Sequence, residues 1–192
     1  MKRRQRLLLV FGTPLLPAVL LAQMTLLEAA QKGEVESVRR LLRAEDVKVE
    51  ATNADGDTAL ILAARAGYTG VAELLLAADA SPETANIAGD TPLLVAARAG
   101  HLRVVEILLG KEAALDAVNK AGDTALILAV RYRRAEVAKL LIRRIDDVEL
   151  LSAKNKVGES ARYWAERNGD VELERLIREK GGTEHAGGHR GA

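Results

Sequence analysis

Residues 53–64 read NADGDTALILAA, residues 86–97 read NIAGDTPLLVAA, and residues 119–130 read NKAGDTALILAV. The interval is 33 residues both times. A weaker copy, NKVGESARYWAE, starts at Asn155, 36 residues after Asn119. A truncated first copy, MTLLEAAQKG, starts at Met24 and sets Gly33 34 residues ahead of Gly67. The second half of each unit also recurs, as GEVESVRRLL from Gly33, GYTGVAELLL from Gly67, GHLRVVEILL from Gly100, RRAEVAKLLI from Arg133 and GDVELERLIR from Gly169. A fixed period of this length marks an array of stacked supersecondary units. The units run approximately over 23–52, 53–85, 86–118, 119–154 and 155–181. The first carries one extra residue before Asn53 and the fourth three extra within 143–154, and such length changes are tolerated in loops.

Each unit has a physical reading. Thr58, Thr91, Thr124 and Ser160 precede an apolar run and offer a hydroxyl to unpaired N–H groups at a helix start. Gly56, Gly89, Gly122 and Gly158 supply the turn before them, and Pro92 sits where a missing N–H is harmless. A short inner helix follows, roughly 58–65 in the second unit, and Gly67 or Gly100 ends it. In the outer helix, Val71, Leu74 and Leu75, or Val104, Ile107 and Leu108, form a stripe on one face. Glu73, Arg103, Glu106 and Lys139 fall mainly off that stripe. One unit cannot bury its stripe alone, whereas stacked neighbours make a continuous core. A coiled coil is excluded, because glycines break the pattern twice per unit and no heptad is sustained.

Residues 90–96 (DTPLLVA) and 100–109 (GHLRVVEILL) carry a resemblance to the ankyrin repeat, which extends over about 24–181. The resemblance implies an all-α solenoid of about five helix–turn–helix units joined by short β-turn hairpin loops. This chain departs from the family where a histidine is usual, carrying Leu27, Ile61, Leu94, Ile127 and Tyr163 instead. The resemblance implies that the missing histidine's ties between turns are replaced by apolar packing. Glu28 and Arg162 stand where inner units carry leucines, as expected of end caps facing water.

Composition agrees. Apolar residues make up 48% of the chain but aromatics only 3%, so Leu, Val, Ile and Ala must fill the core. The absence of cysteine excludes disulfides, thiolate nucleophiles and cysteine-bound zinc. The formal charge is +1, yet Lys2, Arg3, Arg4 and Arg6 precede every acid. Without residues 1–22 the balance is 24 basic against 27 acidic, net −3, which argues against nucleic acid as partner. Those 22 residues have the layout of a secretory signal: a basic start, an apolar segment over 7–22 broken by Pro14 and Pro17, and Ala22 before Gln23. They predict export, to a periplasm in a small bacterial-type protein, with no stable membrane insertion after cleavage. The alternatives are an uncleaved membrane anchor, and a cytoplasmic protein initiated at Met24. The glycine-rich tail 182–192 has no apolar periodicity and is expected to be disordered. Its His185 and His189 make a poor metal grip.

No catalytic residues are expected. There is no Ser–His–acid set, phosphate loop or dinucleotide fingerprint. His101 matches the family's second-helix histidine, Asp55 and Asp57 belong to a repeated turn, and no metal or cofactor is implied. The expected activity is protein binding. In ankyrin-like stacks the hairpin tips and the solvent side of the inner helices line a concave surface. The tips include Asp55, Ile87 and Lys120. At the inner-helix exits Arg65, Arg98, Arg131 and Arg167 stand in register, with Tyr132 beside Arg131. This ladder predicts a basic ridge for an acidic protein surface, since arginine and tyrosine favour interface hot spots. The competing expectation is that Asp57, Asp90, Asp123 and Glu159 pair with these arginines locally. A structural spacer in a larger complex, with no dedicated ligand, is the alternative function.

Overall fold

The computed structural model describes residues 26–44 and 46–182. The leader over 1–22, Met24 and the tail histidines lie outside the described residues. Helices alternate along the chain: α1 (26–32), α2 (Val35–Leu41), α3 (Ala59–Ala66), α4 (Thr69–Ala77), α5 (Pro92–Ala99), α6 (Leu102–Gly110), α7 (Ala125–Arg131), α8 (Ala135–Arg144), α9 (Val148–Ser152), α10 (Ala161–Asn168) and α11 (Val171–Gly182). The inner helices stack as α3 on α5, α5 on α7 and α7 on α10. The outer helices form a second row, α2, α4, α6, α8 and α11, each packed on the next. This is an all-α solenoid of helix pairs, as the period predicts.

Local chemistry sets the helix ends. The hydroxyl oxygens of Thr58, Thr91, Thr124 and Ser160 accept from the N–H groups of Ile61, Leu94, Ile127 and Tyr163. Each such cap stabilises its helix by about 1 kcal/mol. Gly67 and Gly100 close α3 and α5 in the left-handed conformation. A Cβ on Gly67 would also lie 2.5 Å from the His101 ring, so the close approach of the next unit requires glycine there.

The central inner helices α3, α5 and α7 are buried along nearly their whole length. Ala59 to Ala64 and Pro92 to Ala97 are all in the interior. Alanines at 59, 63, 64, 96 and 97 let the axes approach, and Leu60, Leu93 and Leu126 fill the space between them. Ile61, Leu94 and Ile127, at the usual histidine position, are no more than 1% exposed. Glu28 and Arg162, at the two ends, are exposed.

The structure departs from the sequence reading in three places. The insertion in the fourth unit is not plain loop. It folds into α9, because Asp147 caps the N–H of Glu149 and Leu151 finds a buried site. Helix α11 continues to Gly182, one residue into the segment read as tail. Apolar packing at the histidine position is also not what ties the turns together. Asn86 Nδ2 donates to Asp57 (2.8 Å), Asn119 Nδ2 to Asp90 (2.9 Å) and Asn155 Nδ2 to Asp123 (2.8 Å). Main-chain bonds run alongside, from Ile87 N–H to the Asp55 carbonyl and from Lys120 N–H to that of Ala88.

Each asparagine is used at both ends. The Asn86 side-chain oxygen accepts from the N–H groups of Ala88 and Asp90, while its amide reaches the preceding turn. Replacing Asn86 by alanine removes three bonds of about 1 kcal/mol each, part of which water restores. We expect Asn86→Ala to lower the unfolding free energy by about 2 kcal/mol, measured by urea denaturation.

Candidate functional site

The four ladder arginines sit in the last turns of α3, α5, α7 and α10. Their surroundings differ. Arg65 forms a two-pronged pair with Asp57, Nη1 to Oδ2 at 2.5 Å and Nη2 to Oδ1 at 2.8 Å. In the next unit, Arg98 Nη2 lies 2.8 Å from both oxygens of Asp90. Arg131 is looser, 3.6 Å from Asp123. Glu159 replaces aspartate in the last unit, and its carboxylate accepts from Asn155. Arg167 bonds the Tyr163 hydroxyl at 2.9 Å and makes no ion pair with a described carboxylate.

The aspartates hold this order in place. Asp57 is 1% exposed, so burial alone would push its carboxyl up. Hydrogen bonds from Arg65 and Asn86, the Arg65 charge and a bond with Asn53 outweigh that and hold it below its ordinary value of 3.8. Hydrogen bonding to Asp57 correspondingly raises Arg65. The guanidinium is therefore pinned at its inner edge while its outer face meets solvent, the side chain being 47% exposed.

The other expected site residues lie where the repeat predicts. Asp55, Ile87 and Lys120 are exposed at consecutive hairpin tips, and the main-chain bond between Asp55 and Ile87 holds those two tips side by side. Tyr132 ends α7 and is 45% exposed. Two open hollows, of about 400 and 390 Å³, lie away from the ladder. One is between α9, α10 and α11, lined by Leu151 and Ile177. The other is against Leu27 and Leu62.

Several contributors were missed from sequence. Asn86, Asn119 and Asn155 tie the turns, and their recurrence in phase with the aspartates was the available signal. Trp164 lies under two guanidinium groups, 4.9 Å from Arg131 and 5.5 Å from Arg167. Stacking of this kind explains why Arg131 is drawn away from Asp123. His101 is a strut, with Nε2–H donating to the Arg65 carbonyl at 3.1 Å. Arg134 does the same one unit later, its Nε donating to the Arg98 carbonyl at 3.0 Å.

The depressed Asp57 titration has a stability consequence. A carboxyl lowered by folding stabilises the protein above its unfolded value, and the contribution is lost as pH falls through the folded value. The chain should lose stability below about pH 4, and Asp57→Asn should flatten that part of a stability–pH profile measured by urea midpoints.

Among the described residues no cluster of three or more His, Asp or Glu could hold a metal. No helix there is long and apolar enough to cross a membrane. A family model described as ankyrin repeats (3 copies) matches residues 13–86 and 79–151. No curated protein matches the chain. The matched span covers most of the sequence, and its described residues form the capped inner helices, tied hairpins and paired outer helices, so the chain belongs to the ankyrin repeat family.

Proposed function

We propose that this repeat stack binds an acidic partner protein through the inner-helix exits and hairpin tips. Ankyrin repeat domains are non-catalytic interaction scaffolds, and the sequence of this chain carries no catalytic motif. The observation that supports an acidic partner is the register of Arg65, Arg98, Arg131 and Arg167 at successive exits. Buried aspartates orient the first two forks before any partner arrives. Binding then costs little side-chain entropy, and planar guanidinium groups suit carboxylates. Tyr132 adds an exposed ring at the same level, and Asp55, Ile87 and Lys120 extend the contact along the tips.

The test is co-purification of the native protein with identification of bound proteins. It is repeated with a variant in which Arg65→Ala, Arg98→Ala and Arg131→Ala are each combined with Asp→Asn at the paired position. Asp→Asn replacement keeps the variant from burying unpaired carboxylates. An acidic partner should be retained by the natural chain and lost from the variant. Equal retention by a variant of unchanged helicity would overturn the proposal. Absence of any partner would favour the spacer reading.

We also propose that residues 1–22 direct export to a periplasm. This rests on the basic start, the apolar run and Ala22. The native protein should begin at Gln23 by N-terminal sequencing; a start at Met24 or Met1 would refute cleavage there.

A further inference from the structure

The ladder is not uniform, and its departures gather at one place. In the other four units the residue that ends the inner helix or opens the next turn is glycine with positive φ: Gly33, Gly67, Gly100 and Gly169. The fourth unit has Arg133 there, at φ 57°. A left-handed backbone is unfavourable for a side chain carrying a Cβ, so this arginine is held at a cost to the fold. Its guanidinium donates to the carbonyl of Asn168, the residue after Arg167, at 3.5 Å, which sets it beside the end of α10. Arg131 and Arg167 flank Trp164 at the same level, and Tyr132 and Tyr163 are 45% and 40% exposed.

Charge compensation also fails here. Arg65 and Arg98 are neutralised by aspartates, and Arg131 is only loosely paired. Arg133, Arg134 and Arg167 are exposed and make no ion pair with a described carboxylate. The nearby acids are otherwise engaged: Glu166 with Arg162, Glu136 with Lys139, and Asp170 with the N–H of Leu173.

We infer that the α7–α8 turn and the end of α10 form the anchoring point of the ridge, a cluster of Arg131, Arg133 and Arg167 around Tyr132, Tyr163 and Trp164 that takes carboxylate side chains of an acidic protein segment. This rests on the reading that the ridge receives an acidic partner. It goes further in placing the strongest contacts in the fourth and fifth units, with Arg65 and Arg98, already paired to aspartates, contributing less. A peptide fits better than a nucleic acid. The uncompensated charge is confined to the α7–α8 turn and the end of α10, enough for a few carboxylates but too short for the continuous stripe that a phosphate backbone follows.

Trp164 is the chain's single tryptophan, so its fluorescence reports on this cluster directly. The probe is an oligoglutamate peptide with both ends blocked, titrated at low ionic strength against the natural protein, Arg133→Gly, Arg167→Ala, and the mid-ladder double variant Asp90→Asn/Arg98→Ala. The peptide should change Trp164 emission saturably. Arg167→Ala should weaken binding about tenfold, the effect of losing one charge-assisted bond. Arg133→Gly should weaken it severalfold while leaving Tm unchanged or higher, and the mid-ladder variant should weaken binding less than Arg167→Ala does.

Undiminished affinity in Arg133→Gly and Arg167→Ala would overturn the inference. If binding were instead lost in the mid-ladder variant, the acidic-partner reading would survive without it. No binding of the peptide to the natural chain would overturn both. Tighter binding of an oligouridylate than of the peptide would replace the acidic segment with a nucleic acid. A lower Tm in Arg133→Gly would mean that the arginine serves the fold.

Discussion

One buried carboxylate per turn organises this stack. Asp57, Asp90 and Asp123 are each almost wholly removed from water. A carboxylate in that position is unfavourable unless donors surround it. Each is met from both directions along the stack. The arginine eight residues on, at the exit of the same inner helix, supplies charge. The asparagine of the following turn supplies a neutral donor. The aspartate thus closes its own helix end to end and clamps the next hairpin. The turns, the register of the inner helices and the direction of the arginines all depend on it.

The same interaction explains why nominally equivalent arginines differ. Where the aspartate accepts an arginine fork at short range, the guanidinium is an internal strut with one outward face. In the fourth unit Trp164 competes for Arg131 through its ring face. In the fifth, glutamate replaces aspartate and turns to Asn155. The structural demand on the arginine therefore declines toward the C-terminal end, and the charge left without a close carboxylate rises. The left-handed Arg133 belongs to the same end. A gradient of this kind separates the part of the ridge that holds the fold from the part open to a partner.

Much of the fold was legible because its signals are local. Thr58, Thr91 and Thr124 lie three residues from the N–H groups they cap, and Gly67 and Gly100 act on their own helix ends. The replacement of glycine by Arg133 was visible as well, in the column of unit starts. Its meaning was not, because a left-handed φ carries weight only once its neighbours are known. The ties between turns were missed for the same reason. Asn86 and Asp57 are 29 residues apart, and nothing in either segment alone says that the amide points backward to the earlier turn.

By itself the sequence determined the period, the helix pairs, the caps and the membership of the four arginines in one register. These follow from residue spacing within a single unit, where backbone geometry leaves few choices. Tertiary structure alone decided which arginines are spent on buried aspartates, that Trp164 slides beneath Arg131 and Arg167, and that the insertion after α8 coils into α9. Those outcomes depend on distances between neighbouring units. Burial converts such distances into strong differences in electrostatic energy, and no one-dimensional pattern records them.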